Sequence, residues 1–185
     1  MPRVFVAAGS NIDPEKNLAN ATREMEQSFP DIRFSPWYRN RAVGFEGADF
    51  INLVAGFTTD LPLHDLVKRL REIEELCGRP REAAKWAPRS MDLDILLYGD
   101  VVCDEPGLKL PRPDLLKRPY MLGPMADVAP EVIHPTANVS IGELWRQFDQ
   151  ASHAMIRLRH PGGRHQEKSA TNPHCGRRPR QGSDP

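Results

Sequence analysis

Apolar residues recur along this chain with two different periods, and each change of period marks the border of an element. Val4 to Ala8 form a short apolar run closed by Gly9-Ser10-Asn11, the pattern of a buried strand and its turn. Asp13-Pro14-Glu15 follows, a capping residue with proline at the first helical position. Leu18, Ala21, Met25 and Phe29 then fall three to four apart, which predicts a helix to about Pro30. Residues Arg33 to Arg39 read as a second strand, and Asn40 to Asp49 as a loop. Phe50 to Thr59, rich in aromatic and β-branched residues, predicts a third strand. Pro62 opens a second helix with Leu63, Leu66, Val67, Leu70 and Ile73 on one stripe and Gly78 as its stop. Residues 79–91 are polar, basic and interrupted by proline, hence a loop. Asp92 to Tyr98 predicts a fourth strand, turned by Gly99-Asp100 into Val101-Val102. Pro111, Pro113 and Pro119 punctuate a stretch leading into short helices; Ile141 to Phe148 predicts a last helix and Met155 to Leu158 a closing strand.

In this order the main elements read β-α-β-β-α-β, the split arrangement of a ferredoxin-like α+β fold with helices on an antiparallel sheet. Such a fold hosts many activities, so function has to be argued from particular residues.

Composition adds a boundary. The chain has 185 residues, of which 39% are hydrophobic and 27% charged, an ordinary globular balance. Lys plus Arg and Asp plus Glu number 25 each, but from His160 onward five basic residues face two acidic ones, leaving 20 against 23 in residues 1–159. With almost no apolar residues, 160–185 predicts a disordered basic tail after a single domain over 1–159. The slightly acidic body excludes the charge excess of a nucleic-acid binder. Cys77, Cys103 and Cys175 are far apart and form no zinc or disulfide pattern. The N-terminal residues show no long apolar run with a cleavage site, so no secretory leader is expected, and no apolar run approaches the roughly 20 residues of a membrane span. A soluble, monomeric, cytoplasmic protein is expected. His64, His134 and His153 lack ligand spacing, and His160, His165, His174 and Cys175 belong to the tail.

The sharpest local chemistry is Asp92-Leu93-Asp94. On a strand the two carboxylates share a face and repel unless something positive lies between them. Magnesium fits, since it takes one or two protein carboxylates and completes its shell with water and phosphate oxygens. Directly before them, Arg79-Pro80-Arg81-Glu82-Ala83-Ala84-Lys85-Trp86-Ala87-Pro88-Arg89 supplies four basic residues and a tryptophan. Guanidinium forks suit phosphate oxygens, so together these are the parts that phosphoryl transfer needs. The chain has no G-x-x-x-x-G-K-[ST] segment, which excludes a P-loop enzyme.

The run Trp86-Ala87-Pro88-Arg89-Ser90-Met91-Asp92-Leu93-Asp94-Ile95-Leu96-Leu97-Tyr98-Gly99 resembles the signature of the hydroxymethyldihydropterin pyrophosphokinases of folate biosynthesis. Gly9-Ser10-Asn11, Phe50-Ile51-Asn52 and Arg118-Pro119-Tyr120-Met121-Leu122 are similar to that family in the same order, and the likeness spans about residues 3–150. The resemblance implies transfer of pyrophosphate from MgATP to 6-hydroxymethyl-7,8-dihydropterin, giving AMP, with ATP and the pterin as small-molecule partners. It implies that Asp92 and Asp94 hold two magnesium ions and that Arg79 and Arg89 neutralise the phosphates. Arg81 and Trp86 would lie on a loop closing over the substrates, with Glu74, Ile95, Arg112 and Arg118 on the ATP side. Val43, Phe50, Asn52 and Tyr120 would line the pterin side, Asn52 by hydrogen bonding and Tyr120 by stacking.

Three positions depart from the family pattern. Asn40-Arg41 stands where Thr-Pro is usual, Arg112 where His is usual, and Glu82 where Lys is frequent. They leave open a divergent paralogue that binds nucleotide or a related pterin with little turnover. A ferredoxin-like RNA-binding domain would instead put aromatics on the central strands, where this chain has carboxylates.

Overall fold

The computed structural model describes residues 1–41, 48–78, 91–150 and 154–158. Eight strands and four helices lie along these segments: β1 (Arg3–Ser10), α1 (Pro14–Ser28), β2 (Arg33–Phe34), β3 (Trp37–Asn40), β4 (Phe50–Thr58), α2 (Leu63–Leu76), β5 (Asp92–Tyr98), β6 (Cys103–Glu105), β7 (Leu108–Leu110), α3 (Pro119–Val128), α4 (Ile141–Gln147) and β8 (Ile156–Leu158). A 3-10 turn over Pro113–Leu116 precedes α3.

The main sheet runs β5-β1-β4-β3-β8, with β2 also on β4, and its pairings are antiparallel. Leaving out β2 and β8, this is the strand order of the ferredoxin-like motif expected from the sequence. Alternation along the strands splits the core in two. Val4, Val6, Ala8, Leu53, Ala55, Leu93 and Ile95 face α1 and α2, where they meet Leu18, Met25, Phe29, Leu66, Leu70 and Ile73. The Phe29 and Phe57 rings stack at 4.1 Å between centroids in that layer. Phe5, Ala7, Val54 and Leu96 face the other way, onto Leu115, Met121, Leu122, Met125 and Ile141. Gly56 lets α3 approach β4, because a Cβ there would stand 2.8 Å from Val128 Cγ1. Two apolar layers thus cover both faces of one sheet, which fits a strand pattern richer in continuous apolar runs than in strict alternation.

Local expectations fared unevenly. The strand read over Arg33–Arg39 is two strands, because Ser35-Pro36 interrupts the ladder and Ser35 instead exchanges hydrogen bonds with Val54 across it. The N-cap position of α1 is Asp13, in the left-handed region (φ 40°), but its side chain makes no capping bond; Asn17 closes the turn through the Asp13 and Ile12 carbonyls. Gly78, at φ 86°, ends α2 as expected, with Cys77 and Gly78 amides returning to the last carbonyls. Val101-Val102 is not a strand; β6 and β7 form a separate hairpin beyond it, turned at Pro106-Gly107. Most of the basic loop over 79–91 and the tail over 160–185 lie outside the described residues.

Candidate active site

Register places the chemistry. Across the sheet, Asp92 of β5 is the partner of Gly9 of β1, Gly9 of Asn52 of β4, and Asn52 of Tyr38 of β3. Partners in a ladder share a face, so Asp92, Gly9, Asn52 and Tyr38 form one row. One step along, Asp94, Ala7 and Val54 form the next row on that face. Phe50 and Asn40 are partners on it too, since they stand two residues from Asn52 and Tyr38. This is the face that α3 covers further along the strands. Adjacent strands lie about 4.8 Å apart, so Asp92 and Asn52 are separated by about 10 Å, the scale of a flat bicyclic ring with its substituent.

The carboxylate end is supported from three sides. Glu74, buried in the last turn of α2, accepts the Leu93 N–H at 2.7 Å and so pins β5 between its two aspartates. Arg112 places Nη1 3.0 Å from Asp94 Oδ1, while its Nε lies 3.8 Å from Asp114. Arg118, the N-cap residue of α3, stands 3.9 Å from the other Asp114 oxygen. Asp114 therefore spaces two arginines beside Asp94. Burial pushes the Tyr120 hydroxyl above its ordinary pKa, and the charges of Arg118, Asp114, Asp94 and Arg112 all act on it. Tyr120 thus belongs to the same cluster as a neutral phenol.

At the other end Asn52 is 7% exposed, and its Nδ2 donates to Asn40 Oδ1. A Cβ at Gly9 would come within 2.5 Å of Asn52 Oδ1, so glycine is what allows this amide to lie over β1. Tyr38 donates its hydroxyl to Asp127 of α3 at 2.5 Å. Burial first, and then that carboxylate, raise the Tyr38 pKa to about 12.

Of the residues expected from the sequence, Asp92, Asp94, Glu74, Arg112, Arg118, Phe50, Asn52 and Tyr120 are brought to this end of the sheet. Ile95 is not: its side chain is buried in the layer facing α1 and α2. Val43, Arg79, Arg81, Trp86 and Arg89 lie outside the described residues. Sequence reading treated Asn40 only as a departure from a pattern; its partnership with Asn52 becomes visible once β3 and β4 are paired. Tyr38 and Asp127, 89 residues apart, carried no sequence signal.

The oxygen donors fit magnesium. Asp92 and Asp94 offer two half-buried carboxylates on one face, and among the described residues no group of three or more His, Cys, Asp or Glu forms a self-sufficient cage. Such a pair suits a cation that brings its own water and phosphate oxygens.

Comparison with known proteins agrees. The profile of the 7,8-dihydro-6-hydroxymethylpterin-pyrophosphokinase family matches residues 5–130. The 2-amino-4-hydroxy-6-hydroxymethyldihydropteridine pyrophosphokinase of Synechocystis sp. is 36% identical over 147 residues, covering 78% of this chain and 75% of that protein. The Aquifex aeolicus protein of the same name is 36% identical over 137 residues, 73% of this chain and 85% of that protein. Among solved structures, a Plasmodium falciparum HPPK-DHPS with SDX-DHP superimposes with a TM-score of 0.62 at 14% identity, a likeness of fold over 80% of this chain. This chain spans 43% of that one. The chain belongs to the 7,8-dihydro-6-hydroxymethylpterin-pyrophosphokinase family.

Proposed function

We propose that this chain transfers pyrophosphate from MgATP to the hydroxymethyl group of 6-hydroxymethyl-7,8-dihydropterin, a step of folate synthesis, using the row from Asp92 to Asn52 as its active site. The observation that carries the reading is that row: a metal-type carboxylate pair and a buried amide on one face, about 10 Å apart.

In this reading Asn52 hydrogen-bonds the pterin edge, and Phe50 and Tyr120 offer their rings to its faces. The pterin hydroxyl, aimed along the row, attacks the β-phosphorus of ATP in line. The bond from that phosphorus to the α–β bridging oxygen breaks, AMP leaves with the electron pair, and the hydroxyl proton passes to solvent. Arg112 and Arg118 meet phosphate oxygens, with Asp114 keeping their guanidiniums apart and oriented. Asp92 and Asp94 would hold the magnesium, as two ions, which when bound supplies charge neutralisation for the phosphates. Glu74 acts through Leu93 to set the spacing of the two aspartates. From the resemblance, Arg79 and Arg89 add positive charge, Arg81 and Trp86 close over the substrates, and Val43 lines the pterin pocket. The catalytic unit is residues 1–159, acting as a cytoplasmic monomer, with 160–185 as an accessory tail.

The test is AMP release from MgATP with and without the pterin, run beside Asp92→Ala. Pterin-dependent AMP that falls by at least about a hundredfold in the variant supports the reading. ATP binding without pterin-dependent AMP in the native chain would replace the enzyme by a nucleotide-binding paralogue.

A further inference from the structure

Two side-chain amides and one backbone carbonyl form a chain beside the proposed pterin site. Asn40 Nδ2 donates to the Arg41 carbonyl at 3.0 Å, and Asn40 Oδ1 accepts from Asn52 Nδ2. An amide side chain can present its oxygen or its nitrogen in either direction, and the two differ little in shape. A backbone carbonyl has no such freedom, because it only accepts. The Arg41 carbonyl therefore requires the NH₂ end of Asn40, which turns the Asn40 oxygen to Asn52. That oxygen in turn requires the NH₂ end of Asn52, leaving Asn52 Oδ1 over Gly9, on the side of Asp92.

We infer that Asn40 is a positioning and specificity residue: through this relay it fixes Asn52 with its carbonyl as the acceptor offered to the substrate and one Nδ2–H left as the donor. The matching ligand edge carries an N–H beside a C=O. In a pterin that is the lactam edge, N3–H next to C4=O; a ring with the lactam blocked or replaced would leave the buried Asn52 groups unpaired. The inference rests on the proposed function only in placing the pterin at Asn52. A misoriented Asn52 would still fill its space, so Asn40 influences which ring is held, and leaves nucleotide binding alone.

Binding is measured for hydroxymethyldihydropterin with a non-hydrolysable ATP analogue present, for its N3-methyl derivative, and for the ATP analogue alone. In Asn40→Leu and in Asn40→Ala, pterin affinity is expected to fall about tenfold, the usual cost of leaving a buried polar group without its partner. Discrimination against the N3-methyl ring should shrink by a similar factor, with affinity for the ATP analogue unchanged. Asn40→Asp keeps an acceptor toward Asn52 but loses the donor to the Arg41 carbonyl, so its affinity should fall between those of the native chain and Asn40→Leu. Because Asn40 acts through Asn52, adding Asn40→Leu to Asn52→Ala should cost nothing further. Native-like pterin binding in both Asn40 truncations, or additive losses in the double variant, would overturn the relay. An Asn52→Ala variant that binds the pterin normally would overturn the placement of the ring instead.

Discussion

Glu74 shows how a single buried carboxyl group can serve a site it does not face. Its side-chain oxygen accepts the Leu93 N–H at the outer edge of β5, where no other strand among the described residues pairs. Removing the acceptor leaves that amide unpaired in a buried place, which costs about 1–3 kcal/mol. Glu74→Leu is therefore expected to lower unfolding free energy by about that amount in a urea titration and to reduce turnover, since Asp92 and Asp94 flank the released residue. Glu74→Gln keeps an oxygen for Leu93 and should lose much less of both. Equal stability in Glu74→Leu and the native chain would show that the contact is dispensable. At this scale the sequence was readable where the residue types are chemically narrow: Asp92-x-Asp94 beside arginines leaves few alternatives. It was silent on contacts made by register. Glu74 stands four residues after Leu70, on the buried stripe of α2, while Glu72 and Glu75 are only partly buried; spacing alone could mark it as inward-facing but could not name Leu93 as its partner.

Between the elements, the connection from α3 to α4 is organised by His134. Its backbone pairs with Val139 and Asn138, and its Nδ1 accepts the amides of Thr136 and Ala137 at 3.3 and 3.2 Å. The same turn delivers Ser140, whose hydroxyl caps α4 at Glu143. Both Nδ1 contacts need an unprotonated nitrogen, and burial lowers the pKa of this ring below its ordinary 6.5. The folded chain then binds fewer protons than the unfolded one below that value, so stability is full above it and falls as pH drops through it. The melting temperature is expected to decline between about pH 7.5 and about pH 5.5, and to decline less in His134→Asn, whose oxygen can take the same amides. Identical pH profiles would remove His134 from the account. The long helices α1 and α2 were legible because many residues repeat one period, and β4 because nine residues run apolar, aromatic or β-branched almost without break. The hairpin β6–β7 was not, although Pro106-Gly107 is a turn signal, because three-residue strands are too short for alternation to show.

Among the described residues, β8 is the strand that covers the sheet edge beside the proposed substrate row. Ladder order makes β8 the outermost strand, on β3, with Leu158, Arg157 and Ile156 paired to Trp37, Tyr38 and Arg39. Tyr38 lies in the row of Asn52, and Asn40 ends the same strand, so β8 stiffens the wall that orients the proposed pterin site. The closing strand read over Met155 to Leu158 is β8, but the sequence did not say which strand it joins; its pairing with β3 is visible only in the sheet. Two truncations divide these roles. A chain of residues 1–159 keeps β8 and should retain native turnover and melting temperature. A chain of residues 1–150 exposes the ladder edge of β3 and should melt lower, with a raised KM for the pterin and a smaller change for ATP. An edge bared in this way also offers unpaired amides and carbonyls to other copies, so self-association in the shorter chain should rise with concentration. Loss of turnover already in the 1–159 chain would move the boundary of the catalytic unit into the tail, and equal pterin KM in both truncations would show that β3 holds its residues without β8.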